Sequence, residues 1–289
     1  MSAYTSVKEL LELSEKRGTP VWRTVQLADC EEQGLSPEDS WNAMAGLLSV
    51  MRQTDRDYDR RHRSLSGLSG GDAGKMEDYI ASGRALSGPL ISSVIAGALR
   101  MGECNACMKR IVAAPTAGAC GVLPAVLLPC AGRLGVPDER VIEALYVAAG
   151  IGSVIATRAS ISGAECGCQA EIGSASSMAA AALVHLLGGT GQDMANAAAL
   201  ALKALLGLVC DPVGGLVEVP CIKRNVLGAL EAVAAAEMTM AGIRSRIPAD
   251  EVFDAMRDVG EKMDASLRET GEGGLAGSPS ALKQGEREM

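Results

Sequence analysis

Aromatic residues are nearly absent: one Phe, four Tyr and two Trp stand among 289 residues. Without rings, the core must be filled by Ala, Leu, Val, Ile and Met, and small side chains of this kind let helices approach closely. Large β-sandwiches and aromatic-rich barrels are disfavoured, and little remains on which nucleic-acid bases could stack. Basic residues are in deficit, 27 Lys and Arg against 35 Asp and Glu for a net charge of −8. That balance argues against a phosphate backbone or an anionic membrane surface as partner. Histidine is limited to His62 and His185, too few to build a His-based zinc site. His185, in AAAALVHLLGG, reads as a core or helix-end residue, and His62 as a solvated member of a charged patch. No P-loop occurs, no GxGxxG follows a strand, and no GxSxG stands in a nucleophile-elbow context.

What is present is a globular composition, 48% hydrophobic and 21% charged with 34 Gly. The length suits two domains of roughly 150 residues or one large one. The N-terminal MSAYTSVKELLELSEKRG has no apolar signal core, so a cytoplasmic chain with reduced thiols is expected. Val7, Leu10, Leu11 and Ser14 predict a helix over 4–17. Trp41, Met44, Leu48 and Met51 predict another over 40–52, capped at Ser36 or Ser40. The charged RQTDRDYDRRHR then leads into SLSGLSGGDAGK at 64–75, a Gly-Ser segment able to present N–H groups and hydroxyls, or to serve as a surface linker. Apolar blocks follow at 89–99, 111–131, 141–157, 175–187, 194–210 and 226–241, each of helix length and rich in Ala and Leu, which predicts an all-α fold. Block 111–131 has no charge and is long enough to raise a membrane span. Pro115, Pro124 and Pro129 with Gly118 and Gly121 divide it, so central helices surrounded by other helices are expected and no membrane partner. From residue 266 the chain is rich in Gly, Ser and charge. A loop or frayed terminus is expected there unless a partner or an active site orders it.

The nine cysteines are Cys30, Cys104, Cys107, Cys120, Cys130, Cys166, Cys168, Cys210 and Cys221. Most read as small buried hydrophobes. Cys104 and Cys107 form a C-x-x-C pair, but RMGECNACMKRIV reads as helix, where positions i and i+3 share a face by geometry alone. A stronger constellation joins GAECGCQAEIG at 163–173 to CDPVGGLVEVPC at 210–221. Gly and Pro hold such segments out of helix and can aim distant sulfurs at one point. Soft thiolates without histidine suit an iron-sulfur cluster or thiolate zinc, and spacing alone leaves a shared metal site as one reading among several.

Together GCQAEIG, CDPVGGLVEVPCIKRN, IVAAPTAGACGVLPAVLLP, SLSGLSGGDAGK and LRETGEGGLA resemble the alpha chain of the iron-sulfur-dependent L-serine dehydratases, over about residues 60 to 277 and in the family order. The resemblance implies an all-α helical domain whose central Ala/Gly-rich helices surround an iron-sulfur site. It divides the chain into an N-terminal helical segment (1–60), an alpha catalytic domain (61–277) and a flexible tail (278–289). It implies a 4Fe-4S cluster on Cys168, Cys210 and Cys221, with Cys166 the nearest rival and the other cysteines in the core or a pocket wall. Two cysteines one residue apart cannot both easily reach a cubane.

The implied reaction is deamination of L-serine to pyruvate and ammonia, with the iron that lacks a protein ligand as Lewis acid. Ser64, Ser66, Thr116 and Asn225 are the candidate substrate-binding residues and Lys75 the candidate catalytic residue, with Ser69 and Arg224 as further candidates. The general base is not named. No cysteine follows Cys221, so the tail supplies no thiolate and the open iron is expected to be sensitive to air. A beta subunit is the implied partner, since nothing before residue 60 is long enough to be the family's beta domain. Alternatives are a related cysteine desulfidase-type lyase and a non-catalytic thiolate metal-binding subunit. Pyridoxal phosphate on Lys75 or Lys223 belongs with an α/β organisation that this chain does not show.

Overall fold

The computed structural model describes residues 3–288. Helix α1 (Val7–Arg17) begins where Ser6 accepts the Glu9 N–H and ends at Gly18, whose φ of +61° supplies the left-handed cap. α2 (Val21–Gln33) follows directly. α3 (Pro37–Arg56) starts on Ser36, which accepts the Asp39 N–H, with Pro37 pre-set for the first turn. Of the two predicted caps, Ser36 is the one used; Ser40 is buried within α3, its hydroxyl on Asp29 (2.9 Å) and the Tyr146 hydroxyl (2.8 Å). α3 outruns the predicted 40–52 because Pro37 organises its start and Thr54 anchors its last turn, donating to Val50 O and Arg110 O, both at 2.8 Å.

The remaining helices are α4 (Asp72–Ala81), α5 (Gly88–Ala106), α6 (Val122–Leu134), α7 (Asp138–Arg158), the short α8 (Gly163–Cys166), α9 (Ser174–Leu186), α10 (Gly191–Ala204), α11 (Cys221–Met240), α12 (Ala249–Lys262) and α13 (Pro279–Glu288). Among the described residues there is no strand, only an isolated bridge between Cys210 and Arg268. The fold is all-α, as predicted. Within the expected tail, 278–289, residues Pro279–Glu288 are helical.

α9 is the axis of the molecule: every one of its residues is buried, and α6, α7, α10 and α11 pack around it. Ala179 to Ala182 have no exposed surface, so neighbouring helices approach on methyl groups and many small dispersion contacts replace a few large ones. The approach is close enough that a Cβ on Gly228 of α11 would come within 2.8 Å of Ile172 Cγ2. The scarce rings are spent where outer, more charged helices meet this core. Trp22 of α2, Trp41 of α3 and Tyr146 of α7 form one cluster with centroids 5.9, 6.2 and 6.5 Å apart, and Phe253 of α12 is fully buried. Each such pair contributes about 1 kcal/mol beyond the area it buries.

Residues 117–134 and 138–158 are long and apolar enough to cross a membrane by length and composition, yet most of each is buried inside the fold as α6 and α7. Pro115 and the glycines divide block 111–131 as expected. Residues before Thr116 are irregular, Ala117–Ala119 form a 3-10 turn, and α6 begins only at Val122.

Candidate metal centre

Gly167 separates two cysteines and turns them apart. With φ +70° and ψ −179° it sits in a conformation that a side chain would resist, and a Cβ there would lie 2.8 Å from Leu208 O. On one side Cys166 packs against α12, its Sγ 2.5 Å from where a Cβ on Gly260 would be. On the other, Cys168 leads into a π-helical turn, Gln169–Gly173. Such single π turns recur at functional sites because they re-aim side chains within a helical run. Gln169 fixes this one: its Nε2 donates to Met256 O (3.0 Å), its Oε1 accepts from Gly207 N (2.8 Å), and its own N–H donates to Leu208 O (2.9 Å).

The turn presents Glu171 to the thiols. Cys168 Sγ and Cys210 Sγ both donate to Glu171 Oε2, at 4.0 and 3.8 Å, and Thr116 Oγ1 donates to Glu171 Oε1 at 2.7 Å. Burial holds the Glu171 carboxyl above the usual carboxylate range. Glycines make the room: a Cβ on Gly163 would lie 2.7 Å from Glu171 Oε2 and 2.8 Å from Cys210 Sγ, and one on Gly118 would lie 2.9 Å from Glu171 Oε1. Cys221 is the first residue of α11 and buried; burial pushes its thiol up to about 12, and the charges of Cys168 and Glu171 add to the effect. The hydrogen bond with Cys168, with burial behind it, raises the Cys210 thiol strongly.

The surrounding polar groups hold these segments together. Arg224 ion-pairs with Asp211 at 2.8 Å and donates to Val209 O at 2.8 Å, tying the Cys210 segment to α11. Asn225 donates to Gly118 O (2.7 Å) and Cys221 O (3.0 Å) and accepts from Gly121 N (2.8 Å), clamping the Thr116–Gly121 turn to the same helix. Ser64 and Ser66 donate to the two oxygens of Glu218, at 2.7 and 2.9 Å, which docks the Gly-Ser segment onto the Cys210–Cys221 loop. Its far end is held by the buried Glu103, which accepts from Asp72 N (2.6 Å), Ala73 N (3.3 Å) and the Tyr58 hydroxyl (2.7 Å).

Of the residues singled out in the sequence, Cys168, Cys210 and Thr116 meet Glu171 and Cys221 opens α11 at the far end of the Cys210 loop, while Asn225, Ser64 and Ser66 act one step back on the backbone and on Glu218. Lys75 stands apart, 77% exposed, with its ammonium on Asp72 (2.8 Å), which also receives Lys223 (2.6 Å). Cys104 and Cys120 donate to backbone carbonyls inside the fold, and burial pushes their thiols up to about 11 and about 12. The sequence reading assigned nothing to Glu171, Gln169, Glu218 or Glu103. Glu171 stands three residues after Cys168, but the π turn rather than helical spacing sets what it faces.

Among the described residues no three His, Cys, Asp or Glu side chains close around a single metal ion. The donor set suits a larger group: three thiols without histidine, Cys168 on one segment and Cys210 and Cys221 at the two ends of another, are the kind of set in which different irons of a cluster take different sulfurs. The fold and site thus define an all-helical protein in which buried thiols lie in Gly- and Pro-containing segments beside a carboxylate. The family described as serine dehydratase alpha chain matches residues 16–276, and the chain belongs to that family. It is 48% identical over 277 residues to a Bacillus subtilis protein named "Probable L-serine dehydratase, alpha chain", covering 96% of this chain and 92% of that one. It is 37% identical over 279 residues to the L-serine dehydratase alpha chain of Peptoniphilus asaccharolyticus, covering 96% of each. A Mycobacterium tuberculosis protein named L-serine dehydratase is 40% identical over 256 residues, which are 86% of this chain but 51% of that protein.

Proposed function

We propose that this chain is the catalytic alpha subunit of an L-serine dehydratase, converting L-serine to pyruvate and ammonia, with Cys168, Cys210 and Cys221 holding a 4Fe-4S cluster. The observation that supports it most is the convergence of two buried thiols from distant segments, Cys168 and Cys210, on one oxygen of Glu171, with the buried Cys221 at the far end of the Cys210 loop. When bound, a cluster on three cysteines supplies a Lewis-acid iron for the departing hydroxyl.

The chain's own residues supply the rest. Thr116 fixes one oxygen of Glu171, leaving Oε2 as the atom at which the site can hold a proton. On geometry Glu171 is better placed for proton transfer than Lys75, whose ammonium is engaged by Asp72. Gly118 and Gly163 keep the space around that carboxylate free of side chains, and the segment beyond Leu267 covers Cys210. Serine loses its Cα proton and Cβ hydroxyl as water; the resulting enamine tautomerises to an imine, which water converts to pyruvate and ammonia. We further propose that the chain works in the cytoplasm with a beta chain, a reading supported by longer relatives of which it matches about half.

The test is anaerobic purification of the chain with its companion, followed by iron and acid-labile sulfide analysis and pyruvate formation from L-serine. About four irons per chain and pyruvate formation are expected. Zinc in place of iron, or iron without turnover, would sink the reading.

A further inference from the structure

The segment LRETGEGGLA is pinned along the Cys210 backbone. Cys210 N donates to Leu267 O at 2.9 Å, and Glu269 N donates to Cys210 O at 2.7 Å. Further on, Leu275 N donates to Asp211 Oδ2 at 2.8 Å, and Gly274 comes so near that a Cβ would lie 2.4 Å from the same oxygen. Between these anchors Glu269 adopts φ +63°, although it is not glycine and glycines stand at 271, 273 and 274. A left-handed residue with a side chain is strained, and strain of this kind persists where the side chain it places is needed.

That side chain is an exposed carboxylate on the residue whose N–H is bonded to Cys210 O. Among the described residues no hydrogen bond or ion pair engages it. An anionic group on a residue bonded to the Cys210 backbone attracts the ammonium end of an α-amino acid more than its carboxylate end.

We infer that Glu269 receives the ammonium group of the amino-acid substrate and so selects amino acids over hydroxy acids; the inference rests on the L-serine reading above. The backbone strain is then the cost of holding this residue in a loop bonded to Cys210 at two points.

The experiment uses the anaerobically prepared holoenzyme and the variants Glu269→Gln, which keeps the shape and removes the charge, and Glu269→Gly, which suits the left-handed backbone and removes the side chain. Iron content and visible spectrum are measured beside KM and kcat for L-serine and the inhibition constant of L-glycerate, in which a hydroxyl replaces the ammonium. Both variants are expected to keep their iron, to raise KM for L-serine about 10- to 100-fold with a smaller change in kcat, and to leave inhibition by L-glycerate unchanged or stronger. An unchanged KM, an equal weakening of L-glycerate, or loss of iron in both variants would overturn the inference. Wild-type enzyme inert toward L-serine would count against the L-serine reading instead. Calorimetric binding of glycine against glycolate then decides on Glu269: a preference for glycine that Glu269→Gln abolishes supports it, and the same preference in both proteins overturns it.

Discussion

Cys166 and Cys168 leave the chain on opposite sides of Gly167, the first packed against Gly260 of α12 and the second facing Glu171 Oε2 at 4.0 Å. A single residue in a conformation that favours glycine therefore separates a packing cysteine from a candidate ligand. Replacing Cys168, Cys210 or Cys221 with Ala is expected to abolish iron retention and the brown colour of anaerobically purified protein. Cys166→Ala should keep both and lose only about 1 kcal/mol of stability to the small cavity. Iron per chain and the visible spectrum decide it; a colourless Cys166→Ala would make Cys166 a ligand.

Gly163→Ala probes the room around the carboxylate. Its Cβ would fall 2.7 Å from Glu171 Oε2 and 2.8 Å from Cys210 Sγ, so one of them must move. The expected outcome is a loss of about 1–3 kcal/mol by overpacking, together with weaker iron retention. Gly132→Ala is the control, because nothing lies within 4 Å of its Cβ and α6 gains helix propensity. It should raise thermal stability slightly and leave iron content alone.

The fold class was legible because the Ala and Leu blocks are long and never give way to β-branched runs. The helices α2 and α12 were not, since their residues are charged enough to read as connecting segments until Trp22 and Phe253 are seen anchoring them. Three site segments were legible as motifs, but roles within them were not. A serine hydroxyl in a Gly-rich segment looks the same in sequence whether it meets a substrate or, like those of Ser64 and Ser66, a buried glutamate more than 150 residues away. Glu171 was hidden for a related reason: one extra residue in the π turn decides what an i+3 carboxylate faces, and periodicity does not reveal it.

The left-handed backbone at Glu269 has a consequence for stability that is separate from any role in binding. Ala at this position keeps the strain and loses the carboxylate, whereas Gly relieves the strain. Glu269→Gly is expected to be more stable than Glu269→Ala by about 1 kcal/mol, after allowing for glycine's greater freedom in the unfolded chain. Denaturant melts of the two variants measure the difference. Equal stability would mean that the loop relaxes and that φ +63° is not enforced by the anchors on Cys210.

Ser64 and Ser66 offer a choice between two roles that leave different marks. Both hydroxyls donate to Glu218, which is 5% exposed, so removing them strands a buried carboxylate. If their principal role is to hold the Gly-Ser segment against the Cys210–Cys221 loop, the double variant Ser64→Ala/Ser66→Ala should lose about 3 kcal/mol. Adding Glu218→Gln should then restore part of that loss, since a neutral amide costs less to leave unpaired. The non-additivity expected in the three-residue cycle is on the order of 1–3 kcal/mol. If instead the serines meet substrate directly, the double variant should melt with the wild type and show a raised KM for L-serine. Denaturant melts and steady-state kinetics on the same preparations separate the two outcomes.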